Sequence, residues 1–466
     1  MLDGKVKDSK YPVGFHITPL AGLLNDPNGL VKYEGIYHVF YQLNPADTIH
    51  KNKHWGHIYS EDLITWHRAP IALAPDAWYD KDGVYSGSAI IIENQLHLYY
   101  TGNVIDEAGE KHSYQCLAVS NDGFTFEKKG PIFEHPKGFT RHVRDPKVWY
   151  DEKDACYYLV LGAQRENLTG TTLLYRSKDA IVWESMGDLI TDTSKLSQIG
   201  YMWECPDLIV QKDQALFIYS PQGIEATGDN YQNIYQTVYL TGDFQENHFT
   251  PNMDMREVDW GFEYYAPQSF YDENRVISYG WMGITQPEFE SSMPTVTEGW
   301  LHCLTIPRTL HLKDNQLFQK PVEELTALRK QKQVFTVDQA LNTVIHSSQL
   351  EILISQPTGL ASFDLTIDEN LTLSYDATDF SLKLTRLNWY TNQLEERKTQ
   401  LTSALKNLQW FIDGSVSELF LNDGQSVASA RFFSSFVEQK QLEVTFAAQS
   451  TQEMVVYELK PLTIED

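Results

Sequence analysis

The sequence predicts an all-β protein, a five-bladed β-propeller followed by a C-terminal β-sandwich, and three observations carry the prediction. Short alternating runs rich in β-branched and aromatic residues recur along the chain, a repeat of about 60 residues fills its first two thirds, and convincing amphipathic helix is confined to one stretch. Radial repetition of small sheets is the arrangement that shields their edges, which is why such a repeat reads as propeller blades.

The elements follow in order. "GIYHVFYQLN", "NQLHLYYTGN", "ACYYLVLGAQ" and "QALFIYSPQG" read as strands bounded by Gly, Asn and Pro. Three of the repeats close alike, in "YSEDLITW" (Tyr59 to Trp66), "VSNDGFTF" (Val119 to Phe126) and "RSKDAIVW" (Arg176 to Trp183), each a Ser-x-Asp turn followed by an aromatic. After "PRTLHL" the repeat stops. "KPVEELTALRKQ" places Val322, Leu325 and Leu328 on one face and predicts a connecting helix. Beyond it "QLEILISQ", "LTLSYD", "LQWFIDGSVSELFLNDG" and "QLEVTFAA" read as strands again, with hairpin signals at Asp413-Gly414 and Asp423-Gly424. The expected domains are 1–318 for the propeller, 319–333 for a linker helix and 334–466 for the sandwich.

Composition narrows the function classes. With a formal net charge of −26, nucleic acid and anionic membrane are unfavourable partners, because the electrostatic term would be repulsive. No signal-type leader is expected in the first twenty residues and no apolar run is long enough to span a bilayer, so the expected location is the cytoplasm. Cys116, Cys156, Cys205 and Cys303 form no Cys-x-x-Cys pair and suggest neither disulfides nor zinc. Oligomeric state has no signature in the sequence.

Aligning the repeats by their opening motifs puts Asp26 ("NDPNG"), Ser86 ("YSGSA"), Asp145 ("RDPKV"), Glu204 ("ECPDL") and Tyr265 ("YAPQ") at equivalent positions, separated by 60, 59, 59 and 61 residues. Equivalent positions on the innermost strands project into one funnel, so three carboxylates are expected to converge. Asp and Glu are rarely buried without partners, and a cluster of them suits glycoside hydrolysis, which sets one carboxylate on the anomeric carbon and a carboxylic acid on the leaving oxygen. "HKNKHWGH" offers His50, His54 and His57, but without a further ligand these read as loop or pocket-rim residues, and no metal is expected. A phosphate-binding glycine loop and a serine nucleophile elbow are both missing.

The chain resembles glycoside hydrolase family 32, and within it the bacterial sucrose-6-phosphate hydrolase and invertase group. The resemblance runs through "FHITPLAGLLNDPNG", "YQLNP", "HWGHIYSEDLITW", "YSGSA", "RDPKV", "ECPDL", "ISYGWMG", "GWLHCLTIPRTL" and "DGSVSELFLNDG" in that order. It implies the propeller and sandwich, no metal or organic cofactor, and retaining hydrolysis of a small-molecule β-fructofuranoside. By motif matching Asp26 is implied as nucleophile, Glu204 as general acid and base, and Asp145 as the group that holds fructose hydroxyls. Fructose contacts are implied for Asn25, Gln42, Trp55, Tyr85, Ser86, Arg144, Tyr265 and Trp281. Many members carry Trp-Met where this chain has Leu23-Leu24, which puts an aromatic wall there in question.

The expected electrostatics keep Asp26 ionised through turn amides and polar neighbours, raise the pKa of Glu204 through burial and negative neighbours, and use Arg144 to keep Asp145 charged. Sucrose, sucrose 6-phosphate and short fructo-oligosaccharides are all open as substrates, and Lys51, Lys53, His54, Arg141 and His142 are the cations available for a phosphate. Rival readings are a fructosyltransferase, an inverting hydrolase on a similar propeller and a non-catalytic sugar-binding propeller.

Overall fold

The computed structural model describes residues 9–211, 214–447 and 451–465. Residues 1–8, part of the stretch where no leader is expected, lie outside the described residues, as does Asp466. The described chain is all-β. Its first part forms five antiparallel sheets in succession, whose opening strands are Gly22–Tyr33, Val84–Ile92, Phe139–Asp151, Met202–Val210 and Tyr265–Asp272. These strands touch in a closed ring, each against the next and the fifth against the first.

All five opening strands break register within one residue of the same motif position. The pairing shifts between Leu24 and Pro27, Val84 and Gly87, Arg144 and Lys147, Glu204 and Asp207, and Tyr265 and Gln268. A bulge admits one unpaired residue and re-aims the side chains around it. Counted from the Pro or Gly of each opening motif (Pro27, Gly87, Pro146, Pro206, Pro267), the equivalent positions in sequence are Asp26, Ser86, Asp145, Cys205 and Ala266, with pairing resumed at Pro27 and Gly87 but one residue later in the other three strands. The expected equivalence of Glu204 and Tyr265 with Asp26 is therefore corrected by one residue: both share their position with Asn25, Tyr85 and Arg144. Asp145, Cys205 and Ala266 all have positive φ (66°, 46° and 49°), backbone strain concentrated at the ring's centre.

The recurring Ser-x-Asp segments form recurring turns. Asp62 Oδ1 accepts from the amides of Ile64 (2.8 Å) and Thr65 (2.6 Å), Asp122 Oδ1 from Phe124 (2.8 Å) and Thr125 (2.7 Å), and Asp179 Oδ1 from Ile181 (2.9 Å) and Val182 (2.8 Å). The residue after each aspartate, Leu63, Gly123 or Ala180, turns left-handed.

The expected linker helix is not found. Residues 319–333 comprise the end of strand Gln316–Pro321, a 3-10 helix at Glu323–Leu328 and the start of strand Arg329–Val337. Val322, Leu325 and Leu328 are buried, but their spacing of three matches the 3.0-residue period of a 3-10 turn better than the 3.6 of an α-helix. Two six-stranded sheets follow and pack face to face over one apolar core that includes Leu350, Ile352, Leu365, Trp410 and Val444. The two hairpin signals appear as reversals from Asn407–Asp413 to Val416–Leu421 and on to Ser426–Arg431. The chain does not stay there: Thr463–Glu465 pairs in parallel with Thr65–His67, and Trp300–Leu301 pairs with Gly22–Leu23, covering both edges of the first sheet.

Leu23 and Leu24 are fully buried, Leu23 against Met293 and Leu301. They fill core where the sequence left an aromatic wall in question.

Candidate active site

At the centre of the ring Asp26 is held from two sides. Ser86 Oγ donates to its Oδ2 at 2.5 Å and Asn25 Nδ2 to its Oδ1 at 3.1 Å, while Cys205 Sγ lies 3.7 Å from Oδ2. Asn25 is steadied in turn by Lys53 Nζ, a buried ammonium. Asp145 receives the Cys205 amide at 3.0 Å, and its own amide donates to Thr101 Oγ1 at 3.0 Å. Glu204 is ringed by donors: Arg144 Nε (2.9 Å) and Nη2 (2.6 Å) on Oε1, and Tyr265 Oη (2.6 Å) and Gln222 Nε2 (2.7 Å) on Oε2. The bulge explains this division, since it turns Asp26 and Asp145 to one set of neighbours and Glu204 to another.

The electrostatics differ from the sequence expectation. Burial pushes the Asp26 carboxyl up, against the Ser86 and Asn25 hydrogen bonds and the Lys53 charge, with Glu204 adding to the rise. Burial likewise pushes Asp145 up to about 7, against Arg144 and with the help of Glu204 and Asp26. Burial would raise Glu204 too, but the Arg144 charge and the Tyr265 and Arg144 hydrogen bonds outweigh it, and its carboxyl lies below its ordinary value. Arg144 was expected to serve Asp145; it lies 3.9 Å from that carboxylate and 2.6 Å from Glu204, so the nearer partner takes the stabilisation.

The other expected contacts divide. Ser86, Asn25, Arg144 and Tyr265 bond the carboxylates directly. Tyr85 is half-buried beside them, with the Lys111 ammonium over its ring at 4.8 Å. Trp281 packs edge-on to Tyr265 (6.3 Å between centroids). Trp55 and Gln42 stand one layer back: the buried indole donates to Tyr85 O at 3.0 Å and the amide to Val84 O at 3.0 Å, so both position the second opening strand. Thr101, Cys205 and Gln222 were missed by the sequence reading, and Lys53 was named there only as a cation for a phosphate. Cys205 was legible from the Pro206 that follows it, matching Pro27 and Pro146; Thr101 and Gln222 lie in the recurring strand runs but carry no motif that marks them as part of the site.

His50, His54 and His57 do not converge. His57 meets His38 at 3.0 Å, His54 bonds Asn52 O, and His50 Nε2 shares Glu290 Oε1 (2.9 Å) with His302 Nε2 (2.8 Å). That last trio is close enough to hold a cation. It also satisfies itself as a hydrogen-bonded group, and the two histidines hold Glu290 well below its ordinary range despite burial.

Comparison with known proteins gives the family of the chain. The description "Glycosyl hydrolases family 32 N-terminal domain" matches residues 16–321, and "Glycosyl hydrolases family 32 C terminal" matches 323–463. The chain is 40% identical over 428 residues to the sucrose-6-phosphate hydrolase of Bacillus subtilis (strain 168), covering 90% of this chain and 88% of that protein. The structure of sucrose-6-phosphate hydrolase from Lactobacillus gasseri superposes with a TM-score of 0.88 at 30% identity, over 99% of this chain and 96% of that one. The Bombyx mori GH32 β-fructofuranosidase superposes with a TM-score of 0.86 at 29% identity, over 100% and 98%. Carboxylates gathered at the centre of a ring of sheets, and matches that span both parts of the chain, lead to one conclusion: the chain belongs to glycosyl hydrolase family 32.

Proposed function

We propose that the protein is a retaining β-fructofuranosidase acting on sucrose-type substrates, with Asp26 as nucleophile, Glu204 as general acid and base, and Asp145 as the holder of fructose hydroxyls. The observation that carries the reading is the pairing of a serine-anchored aspartate with a donor-ringed glutamate at the centre of one ring of strands. Relatives named sucrose-6-phosphate hydrolase, and a Bombyx mori mutant solved in complex with sucrose, support the substrate class. The five-sheet ring reads as a five-bladed propeller over 1–318, the face-to-face sheets as the sandwich from 334, with a 3-10 connector between them. Four buried free thiols and an acidic surface suit a reducing cytoplasm.

In the free enzyme Glu204 is a carboxylate gripped by Arg144. Arriving fructose hydroxyls compete for that guanidinium. Once Arg144 turns to the substrate, the neighbouring Asp26 and Asp145 charges favour the protonated acid. Asp26 then bonds to the anomeric carbon while the Glu204 proton passes to the departing glycosidic oxygen. Water, deprotonated by Glu204, attacks the same carbon and frees fructose and Asp26.

The test is fructose release from sucrose and sucrose 6-phosphate. Asp26→Ala should abolish it. Glu204→Gln should lower turnover of sucrose by about 10²- to 10⁴-fold yet still release an activated aryl leaving group in a first-turnover burst. An initial product of inverted configuration, read by NMR, refutes the covalent route.

A further inference from the structure

Between the second and third sheets, on the Glu204 side of the centre, lies a pocket of about 740 Å³. In a protein of net charge −26 its lining is unusually basic: half-buried Lys111, His135 and His142, with Lys137, Arg141, Glu110 and Glu166 at its exposed edge. Among the described residues neither Lys111 Nζ nor the Arg141 guanidinium has an ion-pair partner, and Lys111 rests over the Tyr85 ring. The strand Phe139–Asp151 ties the pocket to the chemistry. His142 and Arg144, two residues apart, share a face, and Arg144 Nη1 donates to His142 Nδ1 at 3.0 Å while its Nε and Nη2 hold Glu204. A guanidinium can only donate, so His142 Nδ1 must accept and the ring proton sits on Nε2, a donor.

Apart from Lys51, which is exposed and without a side-chain partner among the described residues, the cations of the opposite flank are already committed. Lys53 bonds Asn25 and His50, His54 bonds a backbone carbonyl, and His50 and His302 both face Glu290. A phosphate placed there meets a carboxylate and a spent ammonium, whereas the pocket beside Arg144 offers unpaired cations on the side where Glu204 protonates the leaving oxygen.

We propose that this pocket binds the phosphate of a phosphorylated leaving group, a hexose phosphate, with Lys111 and Arg141 as counter-charges and His142 Nε2–H as a neutral donor. The assignment rests on the hydrolase reading above. Burial and the adjacent Arg144 hold His142 down at about 4, so it donates as neutral imidazole throughout the working pH range and the selectivity for phosphate belongs to Lys111 and Arg141.

The experiment compares kcat/KM for sucrose 6-phosphate and sucrose in the full chain and in Arg141→Ala, Arg141→Lys and Lys111→Met, alongside calorimetric binding of glucose 6-phosphate, glucose and inorganic phosphate. A charge-assisted contact is worth about 1.5–3 kcal/mol, so Arg141→Ala should lower the preference for the phosphorylated substrate by roughly ten- to a hundredfold, through KM, with Arg141→Lys recovering part of it. Lys111→Met should lower the preference in the same direction. Glucose 6-phosphate should bind more tightly than glucose or inorganic phosphate, and lose that margin in Arg141→Ala. A preference unchanged within twofold in both Arg141→Ala and Lys111→Met overturns the assignment, as does inorganic phosphate binding as well as the sugar phosphate. If the unaltered chain cleaves neither fructoside, the hydrolase reading fails on its own, while the binding arm still decides the pocket.

Discussion

At the scale of single residues the centre is a contest over protons. Arg144 touches Glu204 and His142 and approaches Asp145, so its position sets the charge of the carboxylate proposed as the acid. Tyr265 and Ser86 allow the two working carboxylates to be tuned separately. Tyr265 Oη donates to the Glu204 carboxylate, and removing a donor from the charged form raises a carboxyl pKa. In the substrate complex, where Glu204 has taken its proton, Tyr265→Phe should therefore move the alkaline limb of the kcat profile to higher pH, with a loss at the optimum of about tenfold or more for one hydrogen bond to a charged group. Ser86→Ala removes the donor to Asp26, raises the carboxyl that the proposed nucleophile needs ionised, and should move the acid limb up in pH. A pH titration of both variants distinguishes the assignments: limbs that shift together, or in the reverse assignment, overturn the division of roles. The three carboxylates were legible in the sequence because they sit in motifs. Gln222 and Lys53, which bond Glu204 and Asn25, were not, because a side chain on a neighbouring strand declares itself only when the sheet brings it alongside.

At the scale of elements the repeat was legible and its fine register was not. Ser-x-Asp shows in sequence because the turn needs that carboxylate for two amides, and it recurs at Asp62, Asp122 and Asp179. The bulge in each opening strand leaves only a proline or glycine as its trace, so counting residues between motifs matched Glu204 with Asp26 and missed the one-residue offset. The connector misled for a similar reason, since three apolar residues at spacing three serve a 3-10 turn as well as they suggest an amphipathic helix. The turn makes a prediction of its own. Asp179→Ala leaves the Ile181 and Val182 amides to water and should cost about 1–2 kcal/mol in denaturant unfolding. These amides hold Asp179 below its ordinary pKa, and the matching bonds hold Asp122 at about 2. A lowered folded pKa gives stability that is complete above the unfolded value near 4 and fades as pH falls toward the folded one. The variant should thus lose less stability than the parent between about pH 5 and pH 3; equal losses in both proteins argue against a role for the ionised turn.

At the scale of the whole molecule the two parts are locked by a buried polar clamp, and this gives the "DGSVSEL" segment a task beyond its hairpin. Asp413 accepts from the amides of Gly14 (2.6 Å), Phe15 (2.6 Å) and His16 (3.1 Å), and His16 bridges Asp413 and Glu418 through its two ring nitrogens, each at 2.8 Å. Glu418 also receives Arg308 (Nε 2.9 Å) and the Ile306 amide (2.7 Å), and Arg308 reaches Asp259 at 3.1 Å. All of these ionisable side chains are buried. Such groups are costly to desolvate, and removing one partner strands the others, at about 3–5 kcal/mol. His16→Leu should destabilise the full chain by that order, whereas an exposed change such as Lys320→Ala should do little. Burial alone would lower the His16 pKa, but its bonds and charges from Asp413 and Glu418 outweigh that and raise it. A raised folded pKa gives stability that is fully present below the unfolded value near 6.5 and is lost as pH climbs through the folded one. The melting temperature of the parent should therefore fall between about pH 6 and pH 9 by more than that of His16→Leu. Parallel profiles show that His16 carries no charge in the clamp, and a full-strength His16→Leu protein shows that the clamp does not hold the two parts together.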